Sequence, residues 1–267
     1  MNPISIERFM FYEGRKLYGF RLEGGSSRPG IIATITSIIA EKGLDITYYS
    51  TTGTVRLRER GGDIIFIDFT ASNVRPEDLA REFMALDFVD RVEIIRPKFK
   101  GFIIDDVSFP IMLGGRRAII FSEPALRGFL IDFRKKLGTG GEAMLYHIGR
   151  EVGMERARNI DQNAERIGVK DLRDKLEMGM LLLQCLGYAI PEIVEFSEEP
   201  PYLKIRLQNS IECELGRGAG KPFSHYVRGM ITGYASELLQ RDLLAEETRC
   251  IAMGDPYCEF EVKPREG

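Results

Sequence analysis

Residues 246–260 read EETRCIAMGDPYCEF: Glu247 stands three residues before Cys250, and Cys258 follows across a Gly-Asp-Pro turn. Thiols and a carboxylate at this spacing have three uses: a disulfide, a metal site, or packing in a core. A hairpin centred on Gly254 sets Cys250 directly opposite Cys258, with Cβ atoms about 4.5–5.5 Å apart. That separation suits two thiolates on one metal. Glu247 fits less simply, because a residue three along an ideal strand points to the other face. A bulge, a strand end or a long reach must intervene. On spacing alone, buried core cysteines are the commoner outcome.

Other chemistry is sparse. The chain has no GxxxxGK[ST] loop and no GxGxxG after a strand. Its two histidines are His147 and His225. His147 lies in MLYHIGR, on a mostly apolar helical stretch, and reads as a partly buried, hydrogen-bonded side chain. His225 follows Ser224, but adjacent helical residues point about 100° apart, so they make no nucleophile–base couple. No pair of acids stands out as general acid and base. No catalytic residue is assigned.

The elements that must position these side chains fall into two textures. In 267 residues, 44% are apolar, 29% are charged and the net charge is −3. This is the composition of a globular protein with room for two domains. It carries no electrostatic footprint for nucleic acid, and the short basic runs at 96–100 and 134–136 read as solvated surface. No apolar run approaches the ~20 residues of a membrane span. The first residues do not resemble a signal peptide, so a cytoplasmic protein with free thiols is expected.

From Leu17 to Arg96 the order is β-α-β-β-α-β. LYGFRLEG, LDITYYSTTG, GGDIIFIDFTAS and RVEIIRP are strands; IIATITSIIAEKG and PEDLAREFMAL are helices. Pro29 is placed near the first turn of the first helix. The reading is α+β: a ferredoxin-like βαββαβ domain over 1–98, then a larger domain of helices and antiparallel sheet over 99–267. Within the latter, SFPIML-GG-RRAIIF is a hairpin with a Gly-Gly turn. Helices follow through PALRGFLIDFRKKLG, GGEAMLYHIGREVGMERA and DLRDKLEMGMLLLQCLGY. Then come strands IPEIVEFS and YLKIRLQNSIECEL, a helix from Pro222, and strands LLAEETRCIAM and YCEFEVKP. Cys185, in LLLQCLGY, is read as core. Gly229 and Gly233 share a helix face that another backbone can approach.

The 17–96 segment resembles the ACT domain family, on its element order and on RPGIIATITSIIAEKGLDI. The resemblance implies an amino-acid-type ligand at the turn formed by Ser27, Arg28, Gly30 and Ile31, where helix-start amides can hold a carboxylate. Ser26, Ser27 and Arg28 stand where the family often has Asp or Asn before the proline.

The segment from Gly141 to Val262 resembles the 4-vinyl reductase domain family, on GEAMLYHIGREVGMERA, NSIECEL, KPFSHYVRGMITGYASELL and EETRCIAMGDPYCEFEV. The last also resembles the sensory domain of bacterial phenol-responsive activators, in which one Glu and three Cys hold a structural zinc. That resemblance implies zinc ligands at Glu247, Cys250 and Cys258. Its first cysteine falls on Ser224, a poor ligand, leaving Cys213 as the replacement and His225 as second choice. It further implies an apolar ligand pocket between sheet and helices, lined by Tyr146 and His147. The expectation is a two-domain sensor of an amino acid or hydrophobic metabolite, acting as a homodimer on a protein partner. An enzyme or accessory acting on a tetrapyrrole, and an assembly scaffold, are the alternatives.

Overall fold

Alternating apolar positions and well-placed turns make the first half fold much as its pattern demands. The computed structural model describes residues 3–24, 29–51 and 61–265. After a short strand β1 (Phe9–Phe11) come β2 (Leu17–Gly24), α1 (Ile31–Glu41), β3 (Asp45–Thr51), β4 (Gly61–Asp68), α2 (Pro76–Met84) and β5 (Arg91–Ile95). The sheet runs β3-β4-β2-β5 with every pair antiparallel, which is the ferredoxin-like order. Phe20 and Leu22 of β2 and Ile65 and Ile67 of β4 share one face. Ile35, Ile39, Leu79 and Phe83 of the two helices close over it. Pro29 lies ahead of α1 rather than in its first turn. Gly30 is the N-cap, at φ 93°, a left-handed conformation that glycine adopts without strain.

The other face of the sheet has a cover that alternation alone does not reveal. β6 (Phe102–Ile104) pairs antiparallel with β1, and Met10 and Ile103 pack against Leu17, Ile64, Phe66 and Ile95. Beyond it, β7 (Ile111–Leu113) and β8 (Arg116–Ala118) form the expected hairpin, with Gly114 and Gly115 at φ 56° and 79° in its turn. The chain divides into compact units Met1–Ile120 and Phe121–Gly267. The boundary thus falls later than one after Lys98. The reason is the tie of 102–108 to the first unit: Arg8 pairs with the buried Asp105 at 2.7 Å, and Arg21 donates to the Val107 carbonyl at 2.8 Å.

The second unit opens with a helical run: α3 (Glu123–Arg127), a π turn at Gly128–Asp132 and α4 (Phe133–Leu137). Then follow α5 (Thr139–Ile167), α6 (Leu172–Cys185), β9 (Ile190–Ser197), β10 (Tyr202–Gln208), α7 (Ile211–Leu215), α8 (His225–Leu239), β11 (Leu243–Arg249) and β12 (Cys258–Pro264). The antiparallel sheet is ordered β11-β12-β10-β9. Leu203, Ile205 and Leu207 of β10, with Phe260 and Val262 of β12, meet Leu145, Val227, Met230 and Leu176 from the helices in one core. Each such side chain contributes about 1.5–3 kcal/mol on burial.

Helices α5 and α8 pack backbone to backbone. A Cβ at Gly229 would lie 2.1 Å from the Tyr146 carbonyl oxygen, and one at Gly233 2.0 Å from that of Arg150. Reciprocally, Cβ atoms at Gly149 and Gly153 would meet the carbonyls of Tyr226 and Met230 at 2.1 and 2.2 Å. The same-face pair on α8 is legible in the sequence; its partners on α5 are not. Cys185 is not core: it ends α6 and is exposed. No helix among the described residues is long and apolar enough to cross a membrane.

Candidate metal centre

The end of β11 and the start of β12 bring Glu247, Cys250 and Cys258 together through a bulge. From Leu243↔Pro264 to Glu247↔Phe260 the two strands keep one register. It shifts by one residue before Arg249↔Glu259. A bulge at Thr248 therefore turns Cys250 to the side that Glu247 occupies, which an unbroken strand would forbid. Run one step further, the shifted register sets Cys250 against Cys258, with Gly254 at the centre. Between them lie a single 3₁₀ turn at Ile251–Met253 and Gly254 at φ 103°. Asp255 locks the loop by accepting the Cys250 amide at 2.8 Å.

Cys213 comes from α7. NSIECEL is a serine-led helical turn rather than a continuation of the preceding strand, because Asn209 turns left-handed at φ 53° and ends β10. The thiol is fully buried, 2.8 Å from Ser224 Oγ, 3.5 Å from Cys250 Sγ and 3.7 Å from Glu247 Oε1. Ser224 sits beside the cluster at the cap of α8, which begins at His225 rather than at Pro222. Cys213, Glu247, Cys250 and Cys258 each offer a donor atom, and these atoms all lie within 4.8 Å of one another. His225 is not among them; its Nε2 is 3.5 Å from Glu142 Oε2.

The donors fit a tetrahedral metal. Zinc–thiolate bonds of about 2.3 Å at tetrahedral angles set neighbouring sulfurs about 3.8 Å apart, and a carboxylate oxygen about 3.6 Å from a sulfur. The distances above match both. The surroundings are also those of a ligated set. Glu247 Oε2 accepts the amides of Phe223 and Ser224 at 3.1 Å each, leaving Oε1 toward the sulfurs. The Ile251 amide points at Cys258 Sγ from 3.5 Å. Without a cation such a group resists full ionisation. Hydrogen bonds from Cys213 and Cys258 hold Cys250 down at about 2, as the thiolate. The bond to Cys250 pushes Cys213 far up. Burial, with the Cys250 charge facing it, raises Glu247 to about 7.

Beneath the cluster lies a second polar assembly that sequence reasoning missed. Glu212, fully buried next to Cys213, accepts the first three amides of α8: His225 at 3.0 Å, Tyr226 at 3.1 Å and Val227 at 2.9 Å. Arg134 adds an ion pair at 2.6 Å and lies over the Phe223 ring at 3.8 Å. Burial favours the protonated acid, yet each of these contacts is a donor, which calls for an acceptor-only carboxylate. Arg134 opens a basic run that reads as solvated surface, whereas it is buried. Its one sequence signal is its spacing in an otherwise apolar helical run. Burial, then the nearby Arg134, lowers His225 to about 4, so this imidazole is neutral at neutral pH.

The remaining expected site residues lie elsewhere. Tyr146 and His147 line a cleft in the second unit, but it is rich in charged side chains rather than apolar. His147 is exposed, its ring edge-on to Tyr146 at 5.4 Å, not partly buried as expected. Gly30 and Ile31 stand at the start of α1, while Ser27 and Arg28 lie outside the described residues.

Residues 203–264 match the model of the 4-vinyl reductase domain, so the C-terminal region carries a domain of that kind. That span includes all four candidate metal donors. The chain is 31% identical over 127 residues to an uncharacterized protein of Methanocaldococcus jannaschii, a match covering 47% of this chain and 66% of the relative. The chain thus spans just under two thirds of that relative's length. A second uncharacterized protein of that organism is 26% identical over 50% of this chain and 71% of its own length. Among solved structures, the phenol-responsive sensory domain of the transcription activator PoxR, with phenol, shares the fold. Its TM-score is 0.53 at 23% identity, over 58% of this chain and 80% of the other.

Proposed function

We propose that this protein is a small-molecule-binding regulator: an ACT-like N-terminal module joined to a 4-vinyl reductase-type domain locked by a structural zinc ion. The observation that carries the reading is the convergence of Cys213, Glu247, Cys250 and Cys258, from three separate segments, inside the span of the family match. The phenol-sensing domain that shares this fold supports ligand sensing as the use of the domain.

Zinc supplies a closed four-ligand tie, and four protein donors leave no position for an activated water. The chain's own residues carry the consequence. Glu247 links the tie to the Phe223 and Ser224 amides, and Glu212 grips the next three. The start of α8 is thereby fixed to α7 and to the β11–β12 loop. An effector bound against these helices biases the arrangement of a homodimer, and a protein partner reads that arrangement. The test is elemental analysis of protein purified under reducing conditions, with thermal shifts against amino acids and hydrophobic metabolites. One zinc per chain and a shift with at least one compound are expected. Zinc near zero with four free thiols would sink the metal; no shift with any compound would sink the sensor.

A further inference from the structure

A cleft of about 640 Å³ opens in the second unit between the middle of α5, the C-terminal end of α8 and the start of β11. This is the size of a small-molecule site, and none of the four metal donors lines it. Three guanidinium groups do: Arg150, Arg241 and Arg265. Their own partners are weak. Arg150 lies 3.8 Å from Glu151 and Arg241 3.4 Å from Glu199, both exposed acids. Arg265 has no ion pair among the described residues.

The acids of the cleft do not cancel this charge. Glu237 is already held by Arg158, at 2.9 and 3.2 Å. Asp242 is the one lining acid without an ion pair among the described residues. A helix C-terminus would ordinarily repel an anion. Here the last carbonyls of α8 are occupied: Ser236 O by the amides of Gln240 and Arg241, and Glu237 O by Gln240 Nε2 at 2.6 Å. Gln240 is left-handed at φ 52°, a rare conformation for a non-glycine residue, and this turn carries Arg241 to the rim. The rest of the wall is apolar, with Met154, Leu244 and the ring of Tyr146, on which Arg228 rests at 4.7 Å.

We propose that this cleft binds a small organic carboxylate carrying an apolar body. Its carboxylate docks on Arg150, Arg241 and Arg265, and its body lies along Tyr146 and Met154. Planar guanidinium forks match a carboxylate edge. The unpaired Asp242 disfavours a dianion, which selects a carboxylate over a phosphate ester. The assignment rests on the sensing reading, since it names the ligand class such a sensor would take.

Calorimetric titration of the full zinc-loaded chain at low ionic strength tests it, with benzoate as probe. Saturable one-to-one binding of benzoate is expected, with weaker binding of inorganic phosphate and none of neutral benzamide. Arg150→Ala and Arg265→Ala should each weaken benzoate about tenfold or more, with melting temperatures unchanged. Absence of saturable benzoate binding overturns the proposal. So does benzamide binding as well as benzoate, phosphate binding more tightly, or both variants binding like the parent. Thermal shifts with other compounds beside a null benzoate titration remove the cleft and leave the sensor reading standing; a null in both removes both.

Discussion

Replacing Gly233 by alanine isolates the seam between α5 and α8. The new Cβ would lie 2.0 Å from the Arg150 carbonyl oxygen, where real Cβ atoms essentially never come under 3.0 Å. The helices must therefore part by about 1 Å, and the obstacle is backbone, which cannot rotate away. Overpacking of this kind costs about 1–3 kcal/mol, occasionally more. The helix propensity that alanine gains offsets up to about 1 kcal/mol. A net loss of about 2 kcal/mol follows, or roughly 4–8 °C in melting temperature for a unit of this size. Gly140→Ala is the control. It lies in the first turn of α5 with nothing within 4 Å of its added Cβ, so alanine there should raise stability by up to about 1 kcal/mol. Thermal and urea unfolding of both variants make the comparison. Equal melting of Gly233→Ala and the parent would refute the close backbone seam.

Three further outcomes follow from the polar interior. Glu212→Gln strips the partner from buried Arg134 and should cost about 3–5 kcal/mol, read by urea denaturation; a loss within about 0.5 kcal/mol would contradict the pairing. His225 is lowered from 6.5 to about 4 in the folded chain. The unfolded chain therefore takes up a proton first, and stability falls as pH drops from about 6.5 toward 4, by at most about 2 kcal/mol once solvent screening is discounted. His225→Gln should flatten that part of the stability–pH profile; an unchanged slope refutes the assignment. Removing the metal with a strong chelator should lower the melting temperature and make the three buried cysteines reactive, where only the exposed Cys185 reacts before. Equal thiol titres with and without chelator would argue against a tie at these residues.

The fold was legible where pattern and packing agree. Strand and helix periods marked the ferredoxin-like half, and Gly114-Gly115 marked its hairpin. The β1–β6 cover was not legible, because three-residue strands carry too little alternation, and what holds them is contact with Met10 and Ile103. At the candidate centre, local arithmetic found the hairpin and the need for a bulge between Glu247 and Cys250. It could not tell strand from helical turn at Cys213, since five residues fit either period and Asn209 decides by its backbone angle. Glu212 and Arg134 stayed hidden because buried charge has no sequence signature apart from its partner, 78 residues away. His147 and Cys185 were placed inside by the apolar company they keep, yet each falls on the solvent side of its helix.

The central claim is that Cys213 completes a four-donor zinc tie with Glu247, Cys250 and Cys258, while Ser224 only stands beside it. Zinc content by mass spectrometry of the parent, Cys213→Ala and Ser224→Ala, each purified under reducing conditions, tests it most directly. The account predicts one zinc per chain in the parent and in Ser224→Ala, and loss or sharp weakening in Cys213→Ala. Full zinc in Cys213→Ala, or a parent without zinc, would contradict it.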